Sequence, residues 1–220
     1  MSRTLSHHEA KAFYDAFGSK QDLQRVYEDP AVHILEAQAD FEHARAVVEF
    51  GCGTGRFARR LLERRLDPEA TYTGLDVSST MVRLASERLA AWADRARIRQ
   101  TDGSPVVPLP DAGCDRFLCI YVLDLLSTAD ARAVVAEAGR VLLPDGRLCL
   151  ASLTFGQGVL SRAVCRLWTI VHGWRPRLVG GCRPIGLLDL LGGEWHLLHR
   201  EVVCTLGLCT ELVVAQPVHR

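Results

Sequence analysis

Three glycines and three carboxylates mark the places in this chain where residue type and spacing point to chemistry. The run Glu49-Phe50-Gly51-Cys52-Gly53-Thr54-Gly55 ends one short apolar stretch, Asp76 ends a second, and Asp102-Gly103-Ser104 ends a third. Glycines at alternate positions let a chain turn tightly and let backbone N–H groups approach a ligand closely. A helix starting just beyond them adds unpaired N–H donors. An acid closing the next strand can accept both hydroxyls of a ribose. A dinucleotide fingerprint needs a third small residue at the sixth position; counted from Gly51, that position is Arg56. Glu49, Asp76 and Asp102 gathered at one edge would repel two phosphates and attract a sulfonium, so the pattern suits a cationic, phosphate-free nucleoside.

The elements that must position these residues follow from hydrophobic periodicity. Short apolar runs bounded by breakers predict strands at 46–50, 71–77, 96–101, 115–123 and 147–153. Helical patterns occupy 57–66, 79–92 and 129–142, the last closed by Pro144-Asp145-Gly146. Residues 5–43 read as polar, amphipathic helices broken near Gly18 and again at Asp29-Pro30. Two β-rich runs, 195–205 and 208–215, flank Gly207 as a hairpin. Alternating strands and helices predict an α/β, doubly wound parallel sheet, and the closing hairpin sets it apart from a plain dinucleotide fold. Ligands of such sheets sit at the carboxyl ends of the strands.

Composition narrows the possibilities. The 220 residues suit one α/β domain, and equal numbers of basic and acidic residues argue against a dedicated nucleic-acid binder. Eight cysteines are scattered with no CxxC pair, which predicts reduced, buried thiols and no metal site. No signal-peptide core or membrane span is visible, so a soluble, cytoplasmic protein is expected.

Taken in order, EFGCGTG, GLDVSSTM, TDGS and GRVLLPDGRL resemble the successive motifs of class I S-adenosylmethionine (SAM)-dependent methyltransferases, over about residues 45–155. The layout is similar to ubiquinone and menaquinone biosynthesis C-methyltransferases and their small-molecule relatives. One departure follows the fourth strand, where those enzymes carry a Gly-Leu-Arg-Asn type segment and this chain has Tyr121-Val122-Leu123-Asp124-Leu125-Leu126-Ser127. The resemblance implies a Rossmann-like, seven-stranded sheet with a C-terminal antiparallel hairpin. It divides a single domain, 1–220, into a helical lid (1–43), a SAM-binding core (44–155), a helical substrate or lid insert (156–193) and the hairpin (194–220). It implies that Gly51, Gly53 and Gly55, in a turn shared with Glu49 and Cys52, line the methionine part of SAM. Asp76 would hold the ribose hydroxyls, Val77 and Met81 would flank the adenine, and Asp102, beside Gly103, would take the adenine amino group. Tyr121 would face the methyl group.

Methyl transfer from a sulfonium is an in-line displacement that needs alignment more than a strong base. Tyr14 with its neighbour Asp15, His33, Tyr121, Asp124 and His172 are the candidate catalytic groups, and the sequence does not choose among them. Residues 156–188 carry Arg162, Arg166, Arg175, Arg177 and Arg183, no Asp or Glu, and many bulky apolar groups. Either this is an ordinary helix packed on the sheet, or it forms a lid and pocket for a lipophilic acceptor with peripheral contact to a membrane. The function expected is SAM-dependent methylation of a small, lipophilic acceptor. The rivals are a protein or nucleic-acid methyltransferase, a non-catalytic SAM-binding subunit and, last, a nicotinamide reductase.

Overall fold

Strands β1 (Ala46–Phe50), β2 (Thr71–Asp76), β3 (Ala96–Gln100), β4 (Cys114–Ile120) and β5 (Leu142–Thr154) are joined by β6 (Trp195–Thr205) and β7 (Leu208–Pro217) in one sheet, of order β3-β2-β1-β4-β5-β7-β6. The first five pair in parallel, and β7 inserts antiparallel between β5 and β6. This computed structural model describes residues 7–18 and 25–218.

The central strands are apolar on both faces because helices cover both. Val48, Phe50, Phe117, Cys119, Leu148 and Leu150 point to one side, where α5 (Thr128–Val141) packs Ala131, Val134 and Ala138. The alternate residues Val47, Leu118, Cys149 and Ala151 point to the other. There they meet Ala31 and Leu35 of α2 (Arg25–Gln38), Ala39 just beyond it, and Ala58, Leu61 and Leu62 of α3 (Arg56–Arg64). At the β3 edge the strand carries Arg97 and Arg99, charges that discourage further strand pairing. Ser78 and Ser127 cap α4 (Ser79–Arg88) and α5, their hydroxyls accepting from Met81 N (3.2 Å) and Asp130 N (3.1 Å). Among the described residues, no helix is long and apolar enough to cross a membrane.

Several expectations need correction. The chain does leave a helix at Gly18, where α1 (His7–Phe17) ends and φ is +54°. It does not break at Asp29-Pro30: α2 runs through Pro30, which loses one N–H donor in the second turn while Ala31 and Leu35 are buried just beyond. Among the described residues of 1–43, α2 packs Ala31 and Leu35 into the core, and α1 lies over the edge of the sheet. Strand β4 stops at Ile120 instead of 123, since Tyr121 takes φ +54°. Strand β5 begins at Leu142, ahead of the Pro144-Asp145-Gly146 segment, with a register shift opposite it between Cys114 and Arg116.

The cysteines also depart from expectation. Cys204 and Cys209 are paired across the hairpin with Cα atoms 4.0 Å apart, and they form a disulfide. Directly opposed residues of an antiparallel pair send their side chains to the same face, so this bond follows from the register. Cys52, Cys114, Cys119 and Cys149 are free and buried; Cys165 and Cys182 are free and partly exposed.

Candidate functional site

The turn after β1 is built from left-handed backbone: Gly51, Gly53 and Gly55 have φ of +79°, +52° and +72°. Gly51 tolerates no side chain, because a Cβ there would lie 2.3 Å from Val122 Cγ2. Its N–H and that of Cys52 both donate to the Leu75 carbonyl, at 2.8 and 2.9 Å, clamping the turn to the end of β2. Asp76, the next residue, completes the clamp. Its Oδ2 accepts from Gly53 N (2.9 Å) and its Oδ1 from Ser78 N (2.9 Å). Burial pushes the Asp76 carboxyl up to about 6, against the lowering effect of these backbone donors.

Glu49 lies deeper, 3% exposed, and its Oε2 accepts a short hydrogen bond from the Tyr72 hydroxyl. Burial raises its carboxyl to about 7, Tyr72 opposes the shift, and nearby Asp76 adds to it. Two carboxyls are thus held at the edge of a sheet with folded-state pKa values well above the ordinary range, in a region built to receive positive charge.

Above the turn opens a cleft of about 790 Å³. Leu75, Asp76, Val77 and Met81 form one wall, Val122, Leu125 and Leu126 the other, and Gly103 lines it as well. Helix α1 covers it with Ala10 and Tyr14. That cover is fastened by Asp15, whose Oδ1 accepts from the Ser78 hydroxyl (2.6 Å) and from Thr80 N (3.1 Å) at the start of α4. Partial burial raises the Asp15 carboxyl, but hydrogen bonds from Lys11, Ser78 and Thr80 outweigh it and hold the group well below the usual carboxylate range. A second, more polar cavity of about 730 Å³ shares Gly51, Ile120 and Tyr121 with the first and is lined by Glu28, Glu49, Thr54, Arg56 and Arg60.

Tyr121 stands where the two cavities meet. Its backbone N–H donates to Ala151 O (2.8 Å), and its hydroxyl pairs with Thr210 Oγ1 of β7 at 2.8 Å. Burial pushes its phenol well above the ordinary value, so it is neutral at physiological pH.

Of the residues singled out from the sequence, Gly51, Asp76, Val77, Met81, Gly103, Tyr121 and Tyr14 line the first cleft, and Glu49, Cys52 and Gly53 line the second cavity. Gly55 lies behind the turn, where a Cβ would meet the Ala85 backbone at 3.1 Å; its work is close packing of α3 on α4. Asp102 is exposed, and its Oδ1 accepts from Ser104 N at 2.9 Å in a local turn. His33 is exposed on α2 and lines neither cavity. Asp124 is completely buried, accepts from Leu153 N (3.1 Å) and is pushed up to about 6 by burial. His172 is buried with Nε2 3.1 Å from Gly181 O, and burial lowers its pKa. Neither Asp124 nor His172 lines either of these two cavities.

Sequence reasoning missed Thr210, Leu125 and Leu126, and it missed what Arg56 does. Arg56 sets its guanidinium 2.7 Å from Asp29, and Arg60 lies 2.9 Å from Glu36, so α2 is docked on α3 by ion pairs. The residue that breaks the dinucleotide fingerprint therefore has its own structural task.

A parallel sheet that ends with β7 inserted antiparallel beside β5, carrying this glycine turn and an acid-ended β2, defines the class I SAM-dependent methyltransferase fold. SAM is the cofactor of that class, and the left-handed glycines and the acid beside an apolar cleft fit it. Residues 47–146 match the methyltransferase domain family. A demethylmenaquinone methyltransferase of Deinococcus radiodurans is 35% identical over 133 residues, 60% of this chain and 53% of that protein. A ubiquinone/menaquinone biosynthesis C-methyltransferase of Caulobacter vibrioides is 29% identical over 154 residues, 64% of this chain and 59% of that one. The chain thus spans a little over half the length of the curated relatives it matches. Among solved structures, the cyclase SpnF superposes with a TM-score of 0.75 at 16% identity, over 98% of both chains, a likeness of fold alone.

Proposed function

We propose that the protein transfers the methyl group of SAM to a small, lipophilic acceptor. The observation that carries this reading is the apolar cleft at the carboxyl edge, walled by Leu75, Val77 and Met81 on one side and by Val122, Leu125 and Leu126 on the other, with Asp76 the one carboxylate among its described lining residues. The names of the relatives support it, since demethylmenaquinone and ubiquinone precursors are small and apolar. The neutral net charge speaks against nucleic acid as acceptor.

SAM supplies an electrophilic methyl group on a sulfonium; the chain supplies alignment. Asp76 is the acceptor for ribose hydroxyls, already oriented by Gly53 N and Ser78 N. Val77 and Met81 would flank the adenine, with Gly103 lining the same cleft. Asp102, whose Oδ1 accepts from Ser104 N, would take the adenine amino group with its other oxygen. The turn Gly51-Cys52-Gly53 would hold the methionine portion against backbone, above the buried Glu49. Tyr121, kept neutral and fixed by Thr210, positions the acceptor and is not a base. Tyr14 reaches the cleft from α1 and excludes water above it.

The test is incubation of methyl-labelled SAM with purified protein and cell extract, with Asp76→Ala as control. Enzyme-dependent label in the organic-soluble fraction is expected. Label confined to precipitated macromolecules would replace the acceptor class, and no label despite SAM binding would favour a non-catalytic SAM-binding subunit.

A further inference from the structure

We propose that the outer face of α6 (Val159–Trp174), with the tip of the β6–β7 hairpin, docks on an anionic phospholipid membrane. The inference deepens the lipophilic-acceptor reading and rests on it for its purpose, but the surface stands on its own observations.

Helix α6 packs one side against the protein and carries a separate apolar stripe in solvent. Ser161, Val164, Trp168 and His172 turn inward, where Trp168 Nε1 donates to Cys182 O at 2.9 Å. Leu160, Leu167, Ile170 and Trp174, spaced three, four and seven residues apart, form a second stripe that faces solvent, with Leu160 72% and Trp174 75% exposed. A helix of a globular protein ordinarily hides its one apolar stripe and shows a polar face. Beside the exposed stripe run Arg162 and Arg166, also exposed, and the Arg175 guanidinium sits over the Trp174 ring at 5.0 Å from its centroid.

Charge selects the occupant. The chain is neutral overall, yet residues 156–188 contain five arginines and no carboxylate. Apolar groups bordered on this helix by arginines, with a tryptophan at one end, match an interface of acyl chains under anionic headgroups. A second copy related by a twofold axis would set the same arginines against one another.

The hairpin tip adds an independent observation. Leu206 has φ +52° and is 80% exposed, a strained backbone and an unburied side chain in a residue that gains from neither. Its neighbour Gly207 lies against Val164 of α6, where a Cβ would be 2.9 Å from Val164 Cγ2. The insert is also tied to the cleft: Arg183 Nη2 donates to the carbonyl of Leu126, a wall residue, at 2.8 Å. A membrane held at α6 would stand beside the mouth through which an apolar acceptor enters.

The experiment is sedimentation of the purified full chain with vesicles of phosphatidylglycerol and phosphatidylcholine, without SAM or acceptor, so that a failure of methyl transfer cannot affect it. Binding is expected to anionic vesicles and to weaken in roughly 0.5 M salt. Arg162→Glu/Arg166→Glu and Leu167→Glu/Ile170→Glu should each lower it by about tenfold or more, with melting temperature and SAM affinity unchanged. Vesicles should also shift tryptophan emission to the blue, and Trp174→Phe should remove most of that shift. Vesicle binding that is absent in the wild type, or unaltered in these variants, would overturn the proposal. A concentration-dependent dimer dissolved by Leu167→Glu without vesicle binding would overturn it in favour of self-association.

Discussion

The carboxyl edge around Gly51 and the outer face of α6 break the rule of burial in opposite directions. At the edge, Glu49 and Asp76 are drawn inside and held with raised pKa values. On α6, leucines, an isoleucine and a tryptophan are pushed out into water. Both arrangements cost stability, and a buried carboxyl or an exposed apolar stripe is more informative than any correctly sorted residue. The comparison teaches that reversed burial, in either direction, marks the two places to which the proposals above assign a ligand: a nucleoside at the edge and a membrane at α6.

The comparison can be broken first at Gly51. Gly51→Ala puts a Cβ 2.3 Å from Val122 Cγ2 on a left-handed backbone, so the turn must distort or Val122 must shift within the cleft it lines. Affinity for SAM should fall by more than about 100-fold, the equivalent of roughly 3 kcal/mol, with melting temperature read alongside to separate misfolding from lost binding. An affinity within threefold of wild type would mean that the turn is not the binding element.

Acidity sharpens the same contrast. The folded pKa values of Asp76, about 6, and Glu49, about 7, lie above their ordinary values of 3.8 and 4.5. The folded state therefore binds these protons more tightly than the unfolded chain. Stability from them is full below the ordinary carboxylate range and is lost as pH rises through about 6 to 7. The ligand-free protein should melt several degrees lower near pH 8 than near pH 5, by about 2–4 °C for each kcal/mol involved. Asp76→Asn and Glu49→Gln should each flatten that slope. SAM affinity should change the other way, rising as Asp76 ionises. Asp15, whose folded pKa is depressed, contributes stability above the ordinary carboxylate range that is lost at lower pH, so its latch fails only in stronger acid. A melting temperature that rises with pH in the wild type and in both variants would refute this account of the edge.

Tyr121→Phe removes the hydroxyl that pairs with Thr210 and leaves the ring. A neutral hydrogen bond contributes about 1 kcal/mol, so turnover should drop by about fivefold with SAM affinity unchanged. A loss of a thousandfold would make the phenol a direct participant. The smallest effect belongs to the hairpin. Cys204→Ser opens a very short loop, and the melting temperature should fall by no more than about 5 °C while SAM binding is preserved.

Much of the edge was legible because it is local. Glycines in a turn and an acid at a strand end leave their mark within a few residues, and so do the alternation of strands and helices and the closing hairpin; the order of the strands in the sheet does not. Contacts between distant segments left no such mark. The docking of Asp15 on Ser78, the pairing of Tyr121 with Thr210 and the ion pair of Arg56 with Asp29 depend on how separate elements meet in space. Pro30 misled because tertiary burial of Ala31 and Leu35 outweighs one missing donor. Where Asp124 and His172 would sit was not legible either: the first accepts from Leu153 N beside β5 and the second meets Gly181 O inside the insert. The disulfide escaped notice because Cys204 and Cys209 lie in runs whose register only the folded hairpin reveals.

The central claim, that the edge of β1 and β2 is a SAM site organised by Asp76, is tested most directly by calorimetric titration of SAM into the wild type and Asp76→Ala near pH 7.5. Hydrogen bonds to a charged group contribute about 1.5–3 kcal/mol, so the account predicts saturable one-to-one binding that weakens by roughly 10- to 100-fold in the variant. Equal affinity in the two proteins, or no binding to the wild type, would contradict it.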